Sequence, residues 1–355
     1  MRMKKLLILS AAVLGAVACS NTYEVKPAPE KAIGFGTWTE TLTKAPKTGF
    51  VTDDEFDVFG YKWMNGATPA PATVFDGVDV KYDGTNWAYS PARYWDPSFD
   101  NYTFFAAYPK DQLATAPAQT GLFVSNVLVF NGTDENLLIA QKTNVAKADY
   151  SKTVTLKFKH CGSLVDFKIK KHPDLKNSEL NVTAFSLANI KTKGTFTVDS
   201  YDASNNPVGK TASSVSGLGW EPDATPPTVN DATATPYKIA STVSIAKNTG
   251  TDTGTAADLI SNLVVMPQAL SAQAFTIAYT ITDENNITNT YTPAAVPISQ
   301  FDNTDDTVNS ATIPNWMPGV HYIYYITINA NSIVFSAEIE PWTATEITGH
   351  YYLIN

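Results

Sequence analysis

Residues 154–170 read VTLKFKHCGSLVDFKIK. Val154, Leu156 and Phe158 alternate with Thr155, Lys157 and Lys159. After His160, Cys161 and Gly162 the rhythm returns, with Val165, Phe167 and Ile169 set against Asp166, Lys168 and Lys170. A period of two sends successive side chains to opposite faces, so each run is a strand with one apolar and one charged face. Such strands belong to half-exposed sheets, and they set the expectation of an all-β chain.

The same reading extends in both directions. Downstream, Phe275, Ile277, Tyr279 and Ile281 alternate with Thr276, Ala278, Thr280 and Thr282. Tyr322, Tyr324, Ile326 and Ile328 share one face, and Ile333, Phe335, Ala337 and Ile339 share another. Residues 259–267 (LISNLVVMP) are apolar. Upstream, residues 56–61 and 102–108 (YTFFAAY) have high β-propensity. Asp83-Gly84-Thr85-Asn86 between two short apolar runs signals a hairpin. Residues 45–54 read as loop, and 180–187 and 194–198 as strands. Residues 199–236, rich in Ser, Ala, Pro, Asn and Asp, read as long loops with a short strand. About a dozen strands spaced by turn signals imply β-sandwiches. A length of 355 residues suggests two domains, 45–172 and 173–355, with a soft boundary at His172-Pro173.

The amino terminus has its own logic. Residues 1–19 read MRMKKLLILSAAVLGAVAC: a basic start, a short apolar core, and small residues before Cys19. The core falls short of the roughly 20 residues that span a bilayer. It reads as an export signal, of the lipoprotein type if Cys19 is acylated and of the plain secretory type otherwise. Stable attachment takes two or more acyl chains, which a lipidated Cys19 supplies. Residues 20–31 read as a tether, with Pro27 and Pro29 favouring extended chain. Residues 33–42 (IGFGTWTETL) read as a first strand, with Ile33 and Phe35 on one face and Trp38 on the other.

Composition narrows the function. The net charge is −9 and arginine occurs only at Arg2 and Arg93, so no basic stripe exists for nucleic acid. Cys161 is the one cysteine besides Cys19, so no disulfide framework is expected and Cys161 reads as a small buried hydrophobe. His160, His172, His321 and His350 stand apart with no zinc spacing, and no nucleophile elbow or phosphate loop occurs. The acidic clusters at 53–55 and 302–306 lack the EF-hand pattern and read as solvated loops. No cofactor, metal or catalytic residue is expected. Trp63, Trp87, Tyr89, Tyr94 and Trp95 form either core or a sugar platform, and strand aromatics more often pack cores.

Several phrases in order resemble one family: FGY at 59–61, WAYSPARYW at 87–95, YTFFAAYP at 102–109, LKFKH at 156–160, NLVVMPQ at 262–268 and WMPGVHYIY at 316–324. Behind a lipoprotein signal, they are similar to the fimbrillin family of Bacteroidales lipoproteins. The resemblance implies two tandem transthyretin-like β-sandwiches and assembly into surface fimbriae with other subunits. It also implies outer-membrane attachment through the lipid on Cys19 before processing, and adhesion to a host glycan or protein. In such a scheme a protease cuts after the first strand, taking lipid and strand away together. The residues implied here are Lys44 and Ala45 at the cut and Ile33, Phe35, Trp38 and Leu42 in the removable strand. The family cut often follows arginine, whereas this chain has Thr43-Lys44-Ala45. Either another trypsin-like protease acts or the strand stays, as in an anchor or tip subunit. Ile347, Tyr351 and Leu353 in the tail are the candidate donor residues for a neighbour's groove. The tail reads equally as a final strand of its own domain, and a monomeric glycan-binding lipoprotein is the alternative function.

Overall fold

A computed structural model describes residues 32–39, 50–66, 71–114, 117, 123–126, 128–130, 137–201, 207–209, 220–222, 228–229, 237–247, 255–292, 295–303, 313–329, 333–341 and 345–346. Cys19, Leu42, Lys44, Ala45, Ile347, Tyr351 and Leu353 lie outside these residues. The described chain is strands joined by turns and three single-turn 3-10 helices.

The first strands in order are β1 (Phe35–Thr39), β2 (Glu55–Trp63), β3 (Ala72–Tyr82), β4 (Trp87–Ala88) and β5 (Asn101–Tyr108). They continue with β6 (Phe123–Val124), β7 (Leu128–Val129), β8 (Leu138–Ala146), β9 (Val154–Lys157) and β10 (Lys159–His160). β11 (Ser163–Lys171), β12 (Glu179–Ala188), β13 (Ile190–Lys191), β14 (Lys193–Tyr201), β15 (Pro207–Gly209), β16 (Trp220–Pro222), β17 (Thr228–Val229) and β18 (Val243–Ile245) follow. The last are β19 (Ala257–Val265), β20 (Ala274–Thr282), β21 (Thr288–Tyr291), β22 (Val296–Pro297), β23 (Asp302–Asn303), β24 (Val320–Ile328), β25 (Ile333–Pro341) and β26 (Thr345–Glu346).

Two sheets enclose the first core. One has the order β10-β8-β5-β2-β3-β4 and is antiparallel throughout; the other has the order β26-β1-β9. The alternation at 154–158 is realised, with Val154, Leu156 and Phe158 buried against Phe56, Phe75, Trp87 and Phe104. The hairpin turn forms between β3 and β4: Asp83 Oδ1 accepts from the N–H groups of Thr85 (2.7 Å) and Asn86 (2.6 Å). Gly84 has φ +96, and a Cβ there would come within 2.7 Å of Thr52 Oγ1. Only glycine meets both demands.

The second core lies between β19-β11-β24-β25-β23 and β18-β12-β20-β21. β20 buries every second residue, Phe275, Ile277, Tyr279 and Ile281. β11 contributes Val165, Phe167 and Ile169 to this core and pairs in parallel with β24 over eight residues. The strand ahead of His172 thus packs with the second core, directly after Cys161 and Gly162.

The charged face of β11 departs from expectation. Lys168 and Lys170 are half-buried, but Asp166 is only 3 % exposed. It accepts from Asn262 N–H (2.6 Å) and lies 3.2 Å from His321 Nε2. These partners make burial of the carboxylate tolerable. The covering layer is a third apolar cluster, in which Phe196, Val198 and Trp220 meet Leu137, Ile139, Cys161, Leu164, Val264 and Met266. Within 199–236, where the described residues are 199–201, 207–209, 220–222 and 228–229, β15 and β16 join β14 and β17 joins β13 in small sheets, and Trp220 donates from Nε1 to the Cys161 carbonyl at 2.7 Å.

Candidate functional site

The first strand enters the first core through Phe35, with Ile33 just ahead of it. β1 runs parallel to β9, with Phe35 opposite Val154 and Trp38 opposite Lys157. On its other side β26 pairs antiparallel, matching Trp38 with Glu346 and Thr39 with Thr345. Chain start and chain end therefore share one ladder.

Ile33 is fully buried and Phe35 is 2 % exposed. The Phe35 ring meets Phe75 at 5.2 Å, Phe104 at 5.6 Å and Tyr89 at 5.8 Å, all edge-on or tilted. Tyr89 Oη donates to the Ile33 carbonyl (2.6 Å), and Ile33 N–H donates to the Arg93 carbonyl (2.8 Å). Val154 N–H donates to Gly34 O at 2.8 Å. At Gly36 a Cβ would sit 3.2 Å from Thr153 Cγ2, so the strand lies close against the β9 entry. Burying two such side chains contributes roughly 1.5–3 kcal/mol each.

Ile33 and Phe35 thus lie together in the first core, and the backbone of Trp38 lies in β1. Leu42, the Lys44-Ala45 junction, the donor residues Ile347, Tyr351 and Leu353, and Cys19 fall outside the described residues. Of the walls of the groove, Phe75, Tyr89, Arg93 and Phe104, only Tyr89 carries a site reading from sequence, as core or sugar platform. Three of them lie inside the WAYSPARYW and YTFFAAYP phrases, so the family-like wording coincides with the lining of the slot.

Other candidate chemistry resolves into structure. Trp87 (1 % exposed) and Trp95 (4 %) are core, and Trp95 stacks on Tyr150 at 4.8 Å, so the five aromatics form no common platform. His160 is buried, and burial drives its imidazole down to about 3. Burial alone would raise the Asp166 carboxyl, but His321 and the Asn262 N–H outweigh it and hold it below its usual value. Asp53 and Glu55 pair with Lys81 and Lys110. Among the described residues no three His, Cys, Asp or Glu side chains could hold a metal ion.

A family model described as fimbrillin-like matches residues 43–342. The chain belongs to the fimbrillin-like family. Among solved structures it is similar to a fimbrial protein from Bacteroides vulgatus, with TM-score 0.56 and 19 % identity over 88 % of this chain and 100 % of that one. It is also similar to the fimbrilin FimA of Porphyromonas gingivalis (TM-score 0.42, 8 % identity, 89 % and 99 % covered). The tip fimbrial protein Mfa3 of Porphyromonas gingivalis matches with TM-score 0.37 and 8 % identity over 88 % and 100 %. A comparison with curated proteins finds no match. Membership in the fimbrillin-like family makes this chain a fimbrial structural or adhesion subunit of the cell surface rather than a member of an enzyme family, and makes other fimbrial subunits its partners.

Proposed function

We propose that this fimbrillin-like chain is exported as a lipoprotein on Cys19, with two tandem transthyretin-like sandwiches, and polymerises by protease-triggered donor-strand exchange. Cleavage between Lys44 and Ala45 removes the lipid together with Ile33, Phe35, Trp38 and Leu42. The emptied slot then exposes the β9 edge and the Phe75, Tyr89 and Phe104 walls. A neighbour's tail, through Ile347, Tyr351 and Leu353, restores the ladder and fills the pockets with alternate side chains. The observation that carries this reading is the burial of Ile33 and Phe35 as a plug in the first core. The family match at 43–342 supports it by leaving out both exchanged segments. Before the cut the protein is held at the outer membrane by its lipid; afterwards it stands in the fimbrium, where adhesion addresses a host glycan or protein.

A second reading, an anchor or tip subunit that keeps its lipid, is favoured by lysine at the junction in place of arginine. Mass spectrometry of the amino terminus in isolated fimbriae separates the two. A start at Ala45 and an SDS-resistant ladder are expected of a polymerised stalk subunit. A lipidated Cys19 persisting in assembled material overturns that reading in favour of the anchor or tip. Lipidated monomer alone overturns both.

A further inference from the structure

Asp57 on β2 stands directly opposite Asp79 on β3 and is 5 % exposed. Two carboxylates facing each other across a ladder repel, and burial adds to the cost of charging the inner one. Nearby lysines offset this only in part. Lys110 Nζ lies 3.3 Å from Asp79 but also pairs with Glu55, and Lys81 is shared between Glu55 and Asp53. Across its other ladder Asp57 faces the uncharged Ala107. The facing carboxyls therefore hold one proton readily, and burial pushes Asp57 up to about 6.

The turn at 109–112 rests on this pair. Asp111 N–H donates to Asp57 Oδ2 at 2.6 Å, and Asp111 takes a φ of +64, a backbone state uncommon in residues with a side chain. From the turn, hydrogen bonds run outward in series. Asp111 O accepts from Asn126 Nδ2 (2.7 Å), and Gln112 O accepts from Asn126 N–H (2.8 Å). Beside it, Ser125 N–H donates to Phe196 O and Phe196 N–H to Ser125 Oγ, both at 2.8 Å. Phe196 lies on β14 and belongs to the third apolar cluster with Trp220 and Leu164. The turn thus ties the first sheet to β14 and its cluster. An ionised Asp57 regains water only when the turn lifts, so loss of the proton favours the open turn.

We propose that turn 109–112 is a proton-operated clasp: it holds β14 and its cluster to the first sheet while the Asp57–Asp79 pair keeps its proton, and it loosens when that proton leaves. The clasp goes beyond subunit assembly and is independent of strand exchange. A raised carboxyl stabilises the closed turn most in acid and loses this as pH rises through about 6, so opening should grow roughly thirtyfold between pH 4.5 and pH 8. Amide hydrogen exchange of the full chain, normalised to the intrinsic rate at each pH, reads it directly. Protection of the Asp111 and Asn126 amides should fall by that factor, and both should stay far less protected than Phe105 in β5, as local opening requires. Asp57→Asn should abolish the pH response, and Asp79→Asn, which leaves Asp57 in place, should narrow it. Protection that does not change with pH, a response that persists in Asp57→Asn, or exchange of the two amides only together with Phe105 overturns the proposal.

Discussion

The ring of Phe35 stands edge-on to that of Phe104, with 5.6 Å between centroids and 81° between planes. One belongs to the first strand and the other to the centre of the opposing sheet, so this contact joins the plug to its socket. Phe35→Ala leaves a cavity that its rigid aromatic neighbours cannot close. The unprocessed chain is expected to lose about 3–5 kcal/mol in urea unfolding, and its first strand should be clipped faster in limited proteolysis.

Gly60 faces the same rings from β2. A Cβ there would sit 2.9 Å from Phe75 Cδ2 and 3.1 Å from Phe104 Cδ1. Gly60→Ala forces both rings toward Phe35, and a loss of about 1–3 kcal/mol is expected from overpacking. A thermal melt matching the parent would contradict this geometry.

Asp166 and His321 are both buried and 3.2 Å apart. The Asp166 carboxyl is held below its usual value, so its contribution is present above the ordinary carboxylate range and is lost as pH falls through the lower folded value. Asp166→Asn is expected to cost about 3 kcal/mol at pH 7. Urea titrations at pH 7 and pH 3 should show the gap to the parent narrowing in acid.

Asp57 has the opposite sign. Burial raises it to about 6; the Asp111 N–H opposes this, while the charges of Asp111 and of Asp79 across the ladder add to it. The folded state therefore holds this proton more tightly, and the associated stability is present in full below the ordinary carboxylate value and is lost as pH rises through about 6. Asp57→Asn still accepts from the Asp111 N–H and removes the charge. It should unfold at higher urea than the parent at pH 8, by roughly 1–2 kcal/mol, with the difference vanishing near pH 4.

Deleting residues 343–355 removes β26 from its place beside β1 but leaves both sandwich cores their described residues. A folded, soluble chain that no longer forms SDS-resistant ladders is expected. Loss of the folded near-ultraviolet signal would mark the tail as an intrinsic strand of its own domain.

Much of this was legible in the sequence because alternation is local. Val154, Leu156 and Phe158, like Phe275 to Ile281, announce their face by period alone. Asp166 was misread because a carboxylate on an alternating strand looks solvated until its distant partners, Asn262 and His321, are known. Trp220 hid in a Ser- and Pro-rich stretch whose three-residue strand is too short to show a period. The slot walls were visible as residue types but not as a slot, because Phe35, Phe75, Tyr89 and Phe104 meet only across two sheets.

Trp220 packs beside Cys161, between the strands of the first and second cores, with its indole buried and its N–H on the Cys161 carbonyl. Parting the two cores beside Cys161 would bare roughly 200 Å² of aromatic surface, a cost on the order of 5 kcal/mol. Thermal energy does not supply that at each moment, so the subunit behaves as a stiff segment along its length. If such subunits join by the strand exchange proposed above, the compliance of the filament resides in the joints between neighbours rather than in this waist.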